Sequence, residues 1–220
     1  SRRAFLEAGY YAPIAEALIA VSKALTVNSN EIRPSGELLD VGCGEGYYSA
    51  RLAEALGMHL TGMDISREAV RCAAGKYKSG LWLCATASHI PVADHSCDLL
   101  TSLFALTVPE EFKRVLRPEG YFFQVLAVED HLLGLKSIIY DQLIEKPKDT
   151  VPDVPGFTLV KSVPIRFTFT VEGEQVENLL SMTPHVFRIG HDGAQRLRET
   201  KTLTDTASCV LNVFRPVGNL

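Results

Sequence analysis

A chain of 220 residues, 46% hydrophobic and 22% charged, has the balance of an ordinary globular domain with room for a small appendage. Its formal net charge of −4 supplies no global basic field, so contact with nucleic acid needs a local patch or another segment. No uninterrupted apolar run approaches the length of a membrane span, and the opening residues predict no secretory leader.

In chain order, residues 1–30 read as a helical lead-in, with the amphipathic PIAEALIAVSKAL over 13–25. From residue 37 apolar runs alternate with helical patterns, the mark of βαβ units and a parallel sheet. ELLDVG (37–42) predicts a buried strand, Tyr47 to Leu56 a helix and HLTGMD (59–64) a second strand. Ser66 is placed to cap a helix running to about Tyr77, with Glu68 in its first turn. LWLCATA (81–87), CDLLTSLF (97–104) and YFFQVLA (121–127) complete five strands. A short helix from Val108 to Leu116 precedes the last of these, closed by a turn at RPEG (117–120).

The order then changes. Asp130 is predicted to cap a helix of roughly Leu132 to Glu145, followed by the Pro-rich KPKDTVPDVPG (146–156). FTLVKSVPIRFTFTV (157–171) alternates like an antiparallel strand or hairpin. Glu174 to Ser181 reads as a helix, MTP (182–184) as a break and TASCVLNVFRP (206–216) as a final strand. The pattern predicts an α/β fold, a doubly wound and mostly parallel sheet with antiparallel C-terminal strands. The predicted organisation is a single domain over 1–220, with its core at 36–128 and a substrate-side C-terminal part at 129–220.

Cys43, Cys72, Cys84, Cys97 and Cys209 are odd in number, scattered and free of C-x-x-C pairs. Neither a disulfide framework nor a zinc knuckle is predicted, and free thiols in a reducing cytoplasm are expected. The six histidines are dispersed, so no metal site is expected either.

The chemistry concentrates in DVGCGEGYY (40–48), directly after Leu38-Leu39. A strand, a tight Gly turn and a helix bring backbone close to a ligand. Gly42, Gly44 and Gly46 are spaced G-x-G-x-G, where a dinucleotide loop has G-x-G-x-x-G. Asp40, two residues before the first glycine, repels a pyrophosphate and suits an ammonium group. S-adenosylmethionine (SAM) carries an amine and a sulfonium and no phosphate. Asp64, ending the second strand, can accept from both hydroxyls of a ribose, a feature common to both cofactor classes. The end of the third strand, with Ala87 and Ser88, is expected beside the adenine, and Ile65 is an apolar contact for it. The bland alternative is a tight turn that holds nothing.

At D-x-G-x-G-x-G the chain resembles the class I SAM-dependent methyltransferases, whose sheet is Rossmann-like. The resemblance covers 36–128, including ASHIPVADHSCDLL (87–100) and VLRPEGYF (115–122). RRAFLEAGYYAP (2–13), VEDHLLGLKSIIY (128–140) and LLSMTPHVFR (179–188), together with 38–56 and 85–96, are similar to the bacterial 23S rRNA guanine-N1 methyltransferases in unchanged order. That resemblance implies SAM as cofactor and a hairpin of 23S rRNA as partner, in the cytoplasm and away from membranes, and leaves a homodimer open. It also implies that Tyr11 contacts SAM from the N-terminal segment, that Gly44 and Glu45 are loop positions at the cofactor, and that His131 reaches it from the opposite side. From the residues alone, Tyr11 packs the lead-in onto the core and His131 is an exposed helix-start residue. Members of that family carry an N-terminal zinc module with Cys and His ligands. This chain starts where the module should end, so it is expected to be either a truncated piece, which the match of RRAFLEAGYY to the family's interior favours, or a natural relative without the module.

No spacing names a general base for the N1 proton among Asp94, Glu110, Glu129 and His131. Two rivals stand beside the rRNA enzyme. One is a methyltransferase of small molecules, with apolar residues of 157–187 lining its pocket. The other is a SAM-binding domain without catalysis.

Overall fold

The computed structural model describes residues 1–29, 32, 35–144 and 146–218. Helices α1 (Arg2–Glu7) and α2 (Ala12–Ser29) lead into strand β1 (Glu37–Val41). There follow α3 (Tyr47–Leu56), β2 (His59–Asp64), α4 (Arg67–Lys76), β3 (Leu81–Cys84), β4 (Cys97–Leu103), α5 (Pro109–Val115) and β5 (Leu116–Ala127). The chain ends with α6 (Leu133–Ile139), β6 (Phe157–Glu172), α7 (Glu174–Ser181), a 3₁₀ turn (Pro184–Phe187), α8 (His191–Glu199) and β7 (Thr202–Pro216). No helix among the described residues is long and apolar enough to cross a membrane.

The sheet has seven strands in the order β3-β2-β1-β4-β5-β7-β6. β1 pairs in parallel with β2 and β4, β2 with β3 and β4 with β5. β6 and β7 are antiparallel, and their side chains show the register: Ser162 Oγ donates to Asn212 Oδ1 at 2.7 Å, and Thr168 and Thr170 bond Thr206 and Thr204 at 3.1 and 2.8 Å. The expected doubly wound, mostly parallel sheet with antiparallel C-terminal strands is therefore present. The switch point, where the order turns from β1 to β4, is where such sheets open a crevice.

The chain packs as two compact units. Residues 14–126, 151–163 and 210–220 form the core unit, and residues 1–13, 127–150 and 164–209 form the second. In the core unit, strands of nearly continuous apolar residues bury both faces, as parallel strands covered by helices must. Leu39, Val41, Leu100, Phe112, Val115, Phe157 and Phe214 gather around Phe122, whose ring stacks on Phe214 at 5.5 Å and meets Phe112 edge-on at 5.1 Å. The second unit has an aromatic centre of its own: Phe5 lies 4.9 Å from Tyr11 and 6.0 Å from Phe169.

Several local expectations are corrected. RPEG (117–120) is not a turn between elements but lies inside β5. The ladder with β4 slips there, from Cys97↔Leu116 to Leu99↔Tyr121, so the extra residues bulge out of the strand. Arg117 is tied back to Asp98 at 2.8 Å. β3 stops at Cys84 rather than continuing to residue 87. α6 ends at Ile139, because Tyr140 turns extended and places its hydroxyl 2.7 Å from His185 Nδ1. Glu145, the predicted end of that helix, and residue 30, the predicted end of the lead-in, lie outside the described residues.

Asp130 does not cap α6. Its carboxylate pairs with Arg166, and the cap comes from β7, where buried Asp205 accepts the N–H groups of Gly134 at 3.0 Å and Leu135 at 2.7 Å. α8, whose HDGAQRLRE offers Leu197 as its single large apolar residue, has no predecessor in the apolar pattern. β7 starts four residues earlier than its apolar run suggests: Thr204 bonds Thr170 of the opposite strand, while Leu203 and Asp205, on either side of exposed Thr204, are buried.

Candidate functional site

β1 delivers the chain into the glycine loop at the carboxyl end of the parallel sheet. Gly42, Gly44 and Gly46 all have positive φ, at 79, 54 and 81°. Gly46 is additionally required by close approach: a Cβ there would stand 2.5 Å from the Trp82 indole, which lies under the loop. The loop closes on itself and on β2. Gly42 and Cys43 N–H both donate to the Met63 carbonyl at 2.8 and 2.9 Å, and Gly46 N–H donates to the Cys43 carbonyl at 2.9 Å. Gly44 N–H donates to Asp64 Oδ2 at 2.9 Å. A phosphate site needs such amides turned toward the ligand. Here they are used within the fold, which suits a cofactor without phosphate.

The acids have distinct environments. Asp40 is 2% exposed and accepts from the Thr101 hydroxyl at 2.8 Å. Burial pushes its carboxyl up to about 6, against the pull of the Thr101 hydrogen bond and with a smaller push from the charge of Asp64. A buried carboxylate that is costly to ionise gains most from a neighbouring cation. Asp64 is half-buried at the end of β2; its Oδ1 takes the Ser66 N–H at 2.9 Å as α4 begins. Each carboxylate oxygen has a second lone pair, so both can still accept from ribose hydroxyls. Ile65, next along, is 76% exposed. At the end of β3, Ala87 packs against the core while Ser88 faces out and bonds the Thr86 hydroxyl at 3.0 Å.

The structure thus gathers Asp40, Gly42, Gly44, Glu45, Gly46, Asp64, Ile65, Ala87 and Ser88 at the carboxyl ends of the neighbouring strands β1, β2 and β3. Tyr11 and His131 come together in the second unit, ring centroids 6.5 Å apart. Tyr11 is 3% exposed and its hydroxyl has no hydrogen-bond partner among the described residues. Burial keeps that phenol protonated. His131 is no exposed helix-start residue: Nδ1 accepts the Ser208 N–H at 3.0 Å. Burial lowers its pKa to about 4, helped by the charges of Lys136 and Lys148. With Nδ1 accepting, the neutral ring carries its proton on Nε2 and acts there as a donor, which argues against a base.

Sequence reasoning missed Thr101, Trp82 and Phe104. Thr101 carried a signal, as a polar residue in the buried run CDLLTSL and in register with Asp40. Trp82 gave none, since its role is to fill the space that Gly46 leaves. Phe104, past the end of β4, holds φ 54° with 40% of its surface exposed, an uncommon conformation for a bulky side chain. Among the proposed bases, Asp94 is tied to Arg114 at 2.8 Å, and Glu129 accepts the backbone N–H of Lys148 at 3.0 Å.

Comparison with known proteins agrees with this geometry. Residues 39–124 match the family described as "Methyltransferase domain". A 23S rRNA (guanine(748)-N(1))-methyltransferase of Streptomyces fradiae is 27% identical over 232 residues, spanning 99% of this chain and 79% of that protein. A Bacillus subtilis protein provisionally named a 23S rRNA (guanine-N(1)-)-methyltransferase is 26% identical, over 89% of this chain and 71% of its own length. The solved structure of a SAM-dependent methyltransferase from Aquifex aeolicus superposes with a TM-score of 0.52 at 16% identity, covering 94% of this chain and 98% of that one. The loop whose glycine amides are spent within the fold, the buried acid before it and these likenesses lead to one conclusion: the chain is a SAM-dependent methyltransferase of the class I fold, similar over most of its length to the 23S rRNA guanine-N1 methyltransferases.

Proposed function

We propose that the chain transfers a methyl group to N1 of a guanine in 23S rRNA, in the cytoplasm. The observation that carries this reading is the extent of the similarity: the rRNA enzyme of Streptomyces fradiae aligns with 99% of this chain, the second unit included. A 2-phytyl-1,4-naphtoquinone methyltransferase of Synechocystis is 32% identical, but over 44% of the chain. Likeness to enzymes of small molecules thus supports the shared methyl-donor chemistry rather than the acceptor.

SAM, when bound, supplies an electrophilic methyl group on a cationic sulfur. The chain's residues then have the following work. Asp40 holds the charge near the amine of the donor, Asp64 accepts from the ribose hydroxyls, and Ile65, Ala87 and Ser88 border the adenine. Gly44 and Glu45 shape the loop that the donor lies against, with Gly42 and Gly46 allowing its turns. By the resemblance, Tyr11 and His131 are assigned to the donor as well. Alignment of acceptor, methyl and sulfur, with water kept out, is the main catalytic contribution of such a site. The guanine must leave its stack to reach it.

The test is incubation of the chain with 23S rRNA and methyl-labelled SAM, followed by nucleoside analysis. N1-methylguanosine is the expected product. SAM binding by calorimetry without label in the rRNA overturns the acceptor and leaves the donor standing.

A further inference from the structure

The chain as a whole is acidic, yet in the second unit cations converge around one imidazole. His185, on the 3₁₀ turn, is held by the Tyr140 hydroxyl at 2.7 Å. Tyr140 N–H donates to the Lys136 carbonyl at 3.0 Å, and the Lys136 ammonium reaches the Glu129 carbonyl at 3.4 Å. Glu129 in turn accepts the Lys148 N–H at 3.0 Å, while Arg188 N–H donates to the His185 carbonyl at 3.0 Å. Lys136, Lys148, His185 and Arg188 therefore sit on one connected run of hydrogen bonds. Burial, and then the charges of Lys136, Lys148 and Arg188, hold the imidazole below its ordinary range.

Several arginines elsewhere are neutralised: Arg114, Arg166 and Arg196 pair with Asp94, Asp130 and Asp141. Lys148 and Arg188 have no such acidic partner among the described residues, and Glu129 is the acid that faces the group. Between His185 and Arg188 stands Phe187, 89% exposed. An exposed ring next in sequence to Arg188, within a group of basic side chains, offers the two elements that recognise a single-stranded nucleic acid: a surface for a base to stack on, and cations for phosphates.

We propose that Lys136, Lys148, His185 and Arg188, with Phe187 among them, form a contact surface for single-stranded RNA. The cations meet successive phosphates, and Phe187 stacks on an unpaired base. An anionic membrane fits less well, because it needs an extended apolar helix face and the element here is a 3₁₀ turn of 4 residues. The inference rests on the rRNA reading above and assigns the RNA a place on this chain.

The experiment compares the parent chain, the triple variant K136Q/K148Q/R188Q and F187A. Each is titrated by fluorescence anisotropy with a labelled unpaired segment of 23S rRNA at increasing KCl, and each is assayed for SAM affinity and for methylation. The triple variant is expected to lose about tenfold or more in RNA affinity, with a log K against log salt slope shallower by about 2. F187A is expected to lose about fivefold or more with the salt slope kept. SAM affinity should stay at the parent value in both, with KM for RNA raised and kcat at saturating RNA retained. Unchanged RNA affinity and slope in the triple variant overturn the surface. So does a parent chain without measurable RNA affinity, or a charge-dependent loss confined to anionic vesicles. If the parent methylates rRNA while the triple variant binds it normally, the surface falls and the function stands. If the parent binds RNA through these residues but methylates none, the function falls instead.

Discussion

Asp64 and Asp205 perform the same local task under different demands. Both are strand carboxylates that take backbone N–H groups near the entrance to a helix: Gly44 and Ser66 for Asp64, Gly134 and Leu135 for Asp205, which also accepts from its neighbour Thr206. Asp205 is 6% exposed and dedicated to that task. Asp64 stands half-buried at the open end of a parallel strand, where the same oxygens can also receive a ligand. Under the proposed function, the difference teaches that a binding carboxylate here is a structural one left partly uncovered. Its removal should disturb both loop and ligand, whereas removal of Asp205 should disturb the fold alone.

Substitutions can break or sharpen that comparison. Asp205→Ala leaves the N–H groups of Gly134, Leu135 and Thr206 without this acceptor and should cost about 4 kcal/mol, read as a lower urea midpoint at unchanged m-value. A loss below about 1 kcal/mol would mean that the cap is dispensable. Gly46→Ala meets Trp82 and a left-handed backbone together and should cost about 3 kcal/mol, while Gly44→Ala, with no atom near its added Cβ, should cost about 1 kcal/mol. Equal losses at the two glycines would remove Trp82 from the account.

Asp64→Ala should lower stability by about 1–2 kcal/mol and weaken SAM binding by about tenfold or more, measured by calorimetry. A stability loss with unchanged SAM affinity would make Asp64 as purely structural as Asp205. The remaining acid of the proposed donor site, Asp40, is read through pH. Its folded pKa lies above the ordinary value, so its contribution to stability is complete below about pH 4 and is lost as pH rises through about 6. The charged form that disfavours the empty fold is the one that favours an ammonium ligand. SAM affinity should therefore rise as pH increases through about 6, by up to about tenfold per unit, and Asp40→Asn should flatten the profile. A parent profile already flat between about pH 5 and 7 would detach Asp40 from the donor. The smallest effect is expected at Asp130→Ala, within about 0.5 kcal/mol, because its partner Arg166 is an exposed surface cation.

The core unit was legible because its signals are local. Apolar runs of fixed length, Ser66 as a cap and the G-x-G-x-G loop all lie within a few residues of what they determine, and the structure reproduces β1, α3 and β2 to within a residue. The second unit was harder to read for a physical reason. The cap of α6 comes from Asp205, far along the chain, so the nearby Asp130 drew the prediction instead. Tyr11 and His131 came from resemblance, and nothing in their neighbours in sequence foretells that Phe5, Phe169 and Ser208 enclose them. The group around Phe187 was likewise hard to read, because the residues that make it basic are spread over Lys136 to Arg188.

The order of the sheet carries a consequence for how the molecule is made. β7 is the last strand in the sequence, yet it lies between β5 and β6 rather than at an edge. While a ribosome is still producing residues before Thr202, the outer edge of β5 is bare and the alternating β6 has no neighbour. Both are templates for pairing with other nascent chains. The C-terminal strand therefore acts as a closing stave, and a message or protease that removes it should yield an aggregating product even though every donor-site residue has been synthesised.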